Sequence, residues 1–308
     1  MASPRTDPAF AALLADPRMA LRPPPPSLGM DRYRAAANAF MARAPIPVKG
    51  SCEQRTIASA DGAIHIQIDR PDSVGPHDPA LFIHGGGFVF GGLASHASIA
   101  RRLALASGRA VITLDYRLAP EHPAPAALDD CLTVLREVGL RRADLGLTEA
   151  PFAILGDSAG GFLALSAALH LTRQGEPLRA LGLLYPMLDP TLSTASMTDL
   201  GEGHMLTREF LAWAWKSVAA ERSSEFGFAD EDLAALPTTV LALAECDPLH
   251  DEGHALAERL RRLGVRLEQR TELGMIHGFV GLPQLAPAAD QCLTWFAQQI
   301  AGAALRQA

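Results

Sequence analysis

Isoleucines at 64, 66 and 68 alternate with His65, Gln67 and Asp69, the period of a half-buried strand. Short apolar runs follow at Ala80 to Ile83, Ala110 to Leu114, Phe152 to Leu155, Leu181 to Tyr185 and Thr239 to Ala244. Each is too short for a helix and too uniformly apolar for a surface strand, so each predicts a strand buried on both faces. Between them lie stretches with helical spacing: Ser98 to Ser107, Ala124 to Val138, Phe162 to Arg173, Asp251 to Leu263 and Pro287 to Ala301. Strands alternating with helices predict an α/β fold with a mostly parallel central sheet flanked by helices. The last predicted strand, Val265 to Thr271, carries Arg266, Glu268 and Arg270, the charge pattern of a guarded sheet edge.

Two stretches break the alternation. Residues 1–50 hold Phe10, Leu13 and Leu14 at helical spacing, then four prolines at 23–26, then a second helical pattern from Asp31 to Ala42. Two helices about a proline hinge are too small to fold alone, so they lie on the rest, as a flap over a pocket or as a packing arm. Between Pro190 and Phe228 a Ser/Thr-rich loop leads to a helical stretch from Thr207 to Ala220, with Thr207 placed as an N-cap. The expected organisation is an N-terminal helical cap segment at 1–50 and a catalytic domain at 51–308. A helical cap insertion at about 190–228 sits above the strand ends.

Composition narrows the class. The 308 residues are 48% hydrophobic and 20% charged, ordinary for a globular enzyme. A net charge of −7 with both signs interspersed gives no basic stripe for nucleic acid. The four cysteines, Cys52, Cys131, Cys246 and Cys292, lie far apart without a Cys-x-x-Cys, which argues against a zinc site or a disulfide scaffold. Neither a signal pattern nor an apolar run approaching 18 residues is present, so the expectation is a cytoplasmic protein without a membrane span.

The candidate chemistry centres on Gly156-Asp157-Ser158-Ala159-Gly160, between an apolar strand and an Ala/Leu-rich helix. Glycines two before and two after a serine permit a sharp strand-to-helix bend. The bend lifts the hydroxyl clear of the sheet to a helix N-terminus, where negative charge is favoured. A serine hydroxyl is a poor nucleophile without an oriented base. In a sheet of this kind the partners follow in the order serine, acid, histidine. Of ten histidines, only His277 lies beyond the last predicted strand, in a loop flanked by Gly274 and Gly278. Asp247 ends the buried run Val240 to Cys246 and precedes Pro248; Asp251 is the rival acid and also the natural N-cap of the following helix. His84-Gly85-Gly86-Gly87 at the end of another strand lets consecutive backbone N–H groups converge on a developing oxyanion. Composition alone gives about 0.006 such runs in this chain, so the motif is specific. His250 and His254 have metal-chelating spacing but neither a third ligand nor a His-Glu-x-x-His pattern, and read as a solvated helix face.

Four blocks resemble the hormone-sensitive-lipase-like branch of the α/β-hydrolases, bacterial esterases with a helical cap. They are His84 to Gly87; Asp115-Tyr116-Arg117-Leu118-Ala119-Pro120-Glu121-His122; Gly156 to Gly161; and Asp247-Pro248-Leu249 with Ile276-His277-Gly278-Phe279. The resemblance implies Ser158 as nucleophile, His277 as base and Asp247 as its orienter, with oxyanion donors on the N–H groups of Gly86, Gly87 and Ala159. His84, Gly85 and Asp157 support these motifs, and Arg117 and Glu121 are expected to form a structural ion pair beneath the glycine loop. The expectation is a serine carboxylesterase for short- to medium-chain acyl esters, needing no cofactor or metal. Its partner is a small-molecule ester, with a possible homodimer through the charged edge strand. An amidase or arylformamidase, a lyase or dehydratase, and a non-catalytic small-molecule receptor are the alternatives.

Overall fold

A computed structural model describes residues 5–218 and 228–303. One sheet of eight strands organises the chain: β1 (Ser51–Ser59), β2 (Gly62–Arg70), β3 (Pro79–Ile83), β4 (Ala110–Leu114), β5 (Phe152–Asp157), β6 (Leu178–Leu184), β7 (Thr239–Cys246) and β8 (Leu267–Ile276). Their spatial order is β1-β2-β4-β3-β5-β6-β7-β8. Only the pairings β1–β2 and β2–β4 are antiparallel; β4 through β8 run parallel.

Every side chain of β3 and β4 is buried, as the uniformly apolar runs require of strands covered on both faces. Within β3 the pleat sends Leu81 and Ile83 to one face and Ala80 and Phe82 to the other. Helices α4 (Ala126–Leu140), α5 (Ala159–Arg173) and α9 (His250–Arg262) supply the first face; α3 (Leu93–Ser107) and α10 (Pro287–Gly302) supply the second.

The structure differs from the sequence expectations in definable places. Strand β1 carries no apolar alternation because it is the outermost strand, with Ile57 alone fully buried. Helix α3 begins at Leu93, five residues before the expected start, because Asp115 from the end of β4 accepts the Leu93 N–H at 2.8 Å. Strand β8 begins two residues late and continues to Ile276, past an irregularity opposite Ala244 and Cys246. Gly274 sustains that extension: its N–H donates to Glu245 Oε2 at 2.8 Å and its carbonyl accepts from Asp7 N at 2.9 Å.

The N-terminal segment contributes α1 (Ala11–Ala15) and α2 (Met30–Met41), the insertion contributes α6 (Ala195–Leu200) and α7 (Arg208–Val218), and the short α8 (Asp230–Ala234) leads into β7. The expected end of the insertion helix, at Ala220, lies outside the described residues. Thr207 Oγ1 accepts the Phe210 N–H at 3.1 Å, capping α7. The two segments are joined to each other: Leu21 N donates to Met205 O at 2.7 Å, and Arg22 bridges Glu202 and Glu209 at 3.0 and 2.8 Å. Tyr33 of α2 packs edge-on against Trp213 of α7, ring centres 5.9 Å apart.

A buried ion pair pins α3 to the sheet. Arg101 Nε donates to Asp69 Oδ1 at 2.8 Å, and the other carboxylate oxygen accepts from Gln67 Nε2 at 2.7 Å. Asp69 is fully buried. Removing one member of such a pair leaves an uncompensated charge. Asp69→Ala is therefore expected to destabilise the fold by about 3–5 kcal/mol, measured as a shift of the urea midpoint; an unchanged midpoint would show the pair to be energetically idle.

Candidate active site

Four strand ends bring the candidate residues together. The glycine loop follows β3, Ser158 follows β5, Asp247 follows β7 and His277 follows β8. Because these strands are parallel, their C-terminal ends open on the same edge of the sheet, where open α/β sheets place their ligands.

Ser158 has φ +53° and ψ −122°, a conformation an L-residue adopts only when its surroundings enforce it. The enforcement is visible in the flanking glycines. A Cβ on Gly156 would fall on the Gly160 carbonyl, and a Cβ on Gly160 would fall on the carbonyls of Ile83 and His84. Strand and helix thus touch backbone to backbone, and β3 touches both. Ser158 N donates to Leu184 O at 2.9 Å, which fixes the turn to β6 as well.

His277 Nε2 lies 2.9 Å from Ser158 Oγ, and His277 Nδ1 lies 2.7 Å from Asp247 Oδ2. A carboxylate only accepts, so Nδ1 carries the ring proton and Nε2 faces the hydroxyl as an acceptor. The second oxygen of Asp247 accepts the Leu249 N–H at 2.9 Å, so its orientation is doubly determined. Asp247 is completely buried, while His277 and Ser158 are 5% and 8% exposed. Asp251, the rival acid, points elsewhere. It lies inside the first turn of α9, where it accepts the Ser196 N–H of α6 at 2.8 Å. The N-cap position belongs to Leu249, whose side chain caps nothing.

Gly86 and Gly87 line the same cavity as Ser158 and His277. Ala159 opens α5, so its N–H is among the amides a helix leaves without an internal partner. Gly85 N donates to Asp157 Oδ1 at 2.8 Å, which ties the glycine loop directly to the residue before the serine. The cavity measures about 450 Å³, and its apolar wall includes Leu21, Leu28, Phe40, Phe90, Leu206 and Phe210. That wall mixes N-terminal, glycine-loop and insertion residues.

A layer of buried polar groups underlies the loop. His84 stacks on Tyr116, ring centres 4.1 Å apart, and its Nδ1 lies 2.8 Å from Gly85 O. Tyr116 donates its hydroxyl to His84 O at 2.9 Å. Burial, reinforced by neighbouring His96, pushes the His84 imidazole down to about 3, so it is neutral. His96 Nε2 stands 3.5 Å from Asp157 Oδ1. Burial pushes the Asp157 carboxyl up, but His96 and the Gly85 N–H outweigh it and hold the group below its ordinary range. Glu252 is buried with Oε1 on the Leu188 N–H; burial first, then Asp189 and Asp247, raises its carboxyl well above the usual value.

Two expectations need correction, and some residues were not foreseen. Arg117 and Glu121 do not pair with each other. Arg117 is held by Asp130 at 2.9 Å and Asp61 at 2.8 Å, whereas Glu121 reaches across to Arg34 of α2. Asp251 is not an N-cap. His96 and Glu252 had no sequence signal of their own; Glu252 lies in the first turn of α9, the helix that follows Asp247. His250 and His254 face each other with ring centres 4.5 Å apart, and among the described residues no group of three His, Cys, Asp or Glu is placed to hold a metal ion.

A family model described as the alpha/beta hydrolase fold matches residues 80–281. The sequence is 37% identical over 251 residues to carboxylesterase NlhH of Mycobacterium tuberculosis, covering 78% of each protein. It is 33% identical over 252 residues to the ethyl acetate hydrolase of Pseudomonas putida, covering 77% of this chain and 78% of that one. Among solved structures, a thermostable esterase from Pseudomonas putida ECU1011 superposes with a TM-score of 0.90 at 28% identity, covering 100% of both chains. An esterase from Pyrobaculum calidifontis superposes at 0.86 with 30% identity, covering 97% of this chain and 98% of that one.

The neutral His84 makes stability pH-dependent. An unfolded chain binds a proton there below about 6.5, and the folded chain does so only near 3. Between those values the unfolded state holds more protons, so stability is lost as pH falls, by about 4 kcal/mol at pH 3 from this residue. His84→Asn, which removes the titrating ring, is expected to flatten the decline of the urea midpoint between about pH 6.5 and 4.5. Parallel curves for variant and wild type would contradict the assignment.

Proposed function

The chain belongs to the hormone-sensitive-lipase-like branch of the α/β hydrolases and is a serine carboxylesterase, and we propose that Ser158, His277 and Asp247 carry its reaction on short- to medium-chain acyl esters. The observation that supports this most directly is the continuous line from Asp247 Oδ2 to His277 to Ser158 Oγ, with contacts of 2.7 and 2.9 Å, facing an apolar cavity.

In this reading Ser158 Oγ attacks the ester carbonyl as His277 Nε2 takes its proton. Asp247 keeps Nδ1 protonated beforehand and stabilises the imidazolium afterwards, without accepting the proton itself. The tetrahedral oxyanion is received by the N–H groups of Gly86, Gly87 and Ala159, helped by the positive end of α5. His277 then protonates the leaving alcohol, and a water repeats the sequence on the acyl-enzyme. Every proton transfer uses groups of this chain.

The N-terminal segment and the insertion act together as a cap whose apolar underside receives the acyl or alcohol group. A volume of about 450 Å³ suits a small ester and lies at the lower end of small-molecule sites. The relative from Pseudomonas putida is named for ethyl acetate, which supports the short end of the range.

Hydrolysis of p-nitrophenyl esters from acetate to palmitate is expected to peak at short to medium chains. Ser158→Ala is expected to lower kcat by at least about 10⁴-fold, and Asp247→Asn by about 10⁴-fold through the wrong imidazole tautomer. A folded wild-type protein that turns over none of these esters would refute the reading.

A further inference from the structure

The glycine loop after β3 holds a shape that its sequence does not enforce. Gly86, Gly87, Phe88 and Gly91 all have positive φ, between +59° and +118°. Glycine-rich backbone has many other conformations open to it, so something outside the loop selects this one.

Helix α2 of the N-terminal segment does so. Arg34 Nε donates to Val89 O at 2.8 Å, and its Nη2 donates to Ala119 O at 3.0 Å. Ala119 N in turn donates to Phe88 O at 2.9 Å. Asn38 lies one helical turn further, on the same face, and its Oδ1 accepts the Gly91 N–H at 2.9 Å. Glu121 completes the set by accepting from Arg34 Nη1 at 3.0 Å.

The consequence reaches the reaction through one peptide unit. Val89 N and Phe90 N both donate to Gly86 O, at 3.0 and 3.1 Å. Gly86 O and the Gly87 N–H belong to the same planar trans peptide and point in opposite directions. Holding the carbonyl therefore aims the N–H. We propose that Arg34 and Asn38 are positioning residues for ester hydrolysis: by fixing Val89 and Gly91 they orient the Gly86–Gly87 peptide so that its N–H faces the oxyanion formed at Ser158. The proposal rests on the esterase reading above.

The test separates positioning from simple attachment of the N-terminal segment. Phenylethaneboronic acid serves as the probe, because its tetrahedral serine adduct places an oxygen where the oxyanion forms. Arg34→Met and Asn38→Leu are each expected to lower kcat on p-nitrophenyl acetate by about 10- to 100-fold, with KM within about threefold of wild type. The inhibition constant of the boronic acid should rise by the same factor as kcat/KM falls. Asn38→Asp, which retains the acceptor, should recover most of kcat, and Arg34→Lys, which keeps one donor in place of the fork, should recover part of it.

Folded variants with wild-type kcat, or with a raised KM alone, overturn the proposal. If Arg34→Met fails to fold, the Asn38 pair decides the matter by the same criteria. A wild-type protein that neither hydrolyses p-nitrophenyl acetate nor reacts with a fluorophosphonate overturns the esterase reading itself, whereas active wild type with unaffected variants overturns only the positioning role.

Discussion

The backbone contact between the end of β5 and the start of α5 is the constraint on which the site depends. Carbonyls of Gly160, Ile83 and His84 occupy the space that a Cβ on Gly156 or Gly160 would need. That approach forces Ser158 to φ +53° and raises its hydroxyl above the sheet. The strain is local, and the hydrogen bond from Ser158 N to Leu184 O helps to hold it. The same close approach brings the glycine loop beside the serine, since β3 and β5 are neighbours in the sheet.

Around this turn burial and hydrogen bonding together set the states of the ionisable groups. Burial holds His84 neutral beneath the loop, while against the opposing effect of burial His96 and the Gly85 N–H hold the Asp157 carboxyl below its ordinary range. The neutral His84 stacks on Tyr116, whose hydroxyl donates to the His84 carbonyl. Asp247 is buried with both oxygens occupied, one by His277 and one by the Leu249 amide. The imidazole therefore has one favoured orientation before any substrate arrives, which is the preorganisation that electrostatic catalysis requires.

The N-terminal segment and the insertion are separated along the chain by strands β1 to β6 yet form one unit. Leu21 pairs with the Met205–Thr207 stretch, and Arg22 bridges to Glu202 and Glu209. Together they cover the cavity with apolar side chains, while α2 also reaches down to the glycine loop through Arg34 and Asn38. Cover and glycine loop are thus joined by direct hydrogen bonds from α2.

Local physics decided much of this in the sequence itself. Buried parallel strands must be apolar on both faces, so β3, β4, β5 and β7 were legible as runs, and the Gly-x-Ser-x-Gly turn can only be made by residues without a Cβ at its flanks. Chain order then pointed to Asp247 and His277, because parallel strands deliver their loops to one edge. Strand β1 was not legible, since an outermost strand with a single buried side chain shows no period. The partners of Arg117 and Glu121 were not legible either. Motif spacing placed the two residues together, but the fold turns Arg117 toward Asp130 and Asp61 and turns Glu121 toward Arg34, 87 positions away. His96 beneath Asp157 and Asn38 on Gly91 follow the same rule. Side-chain pairing across long sequence separations depends on how helices pack on the sheet, and no local pattern of polar and apolar positions encodes that.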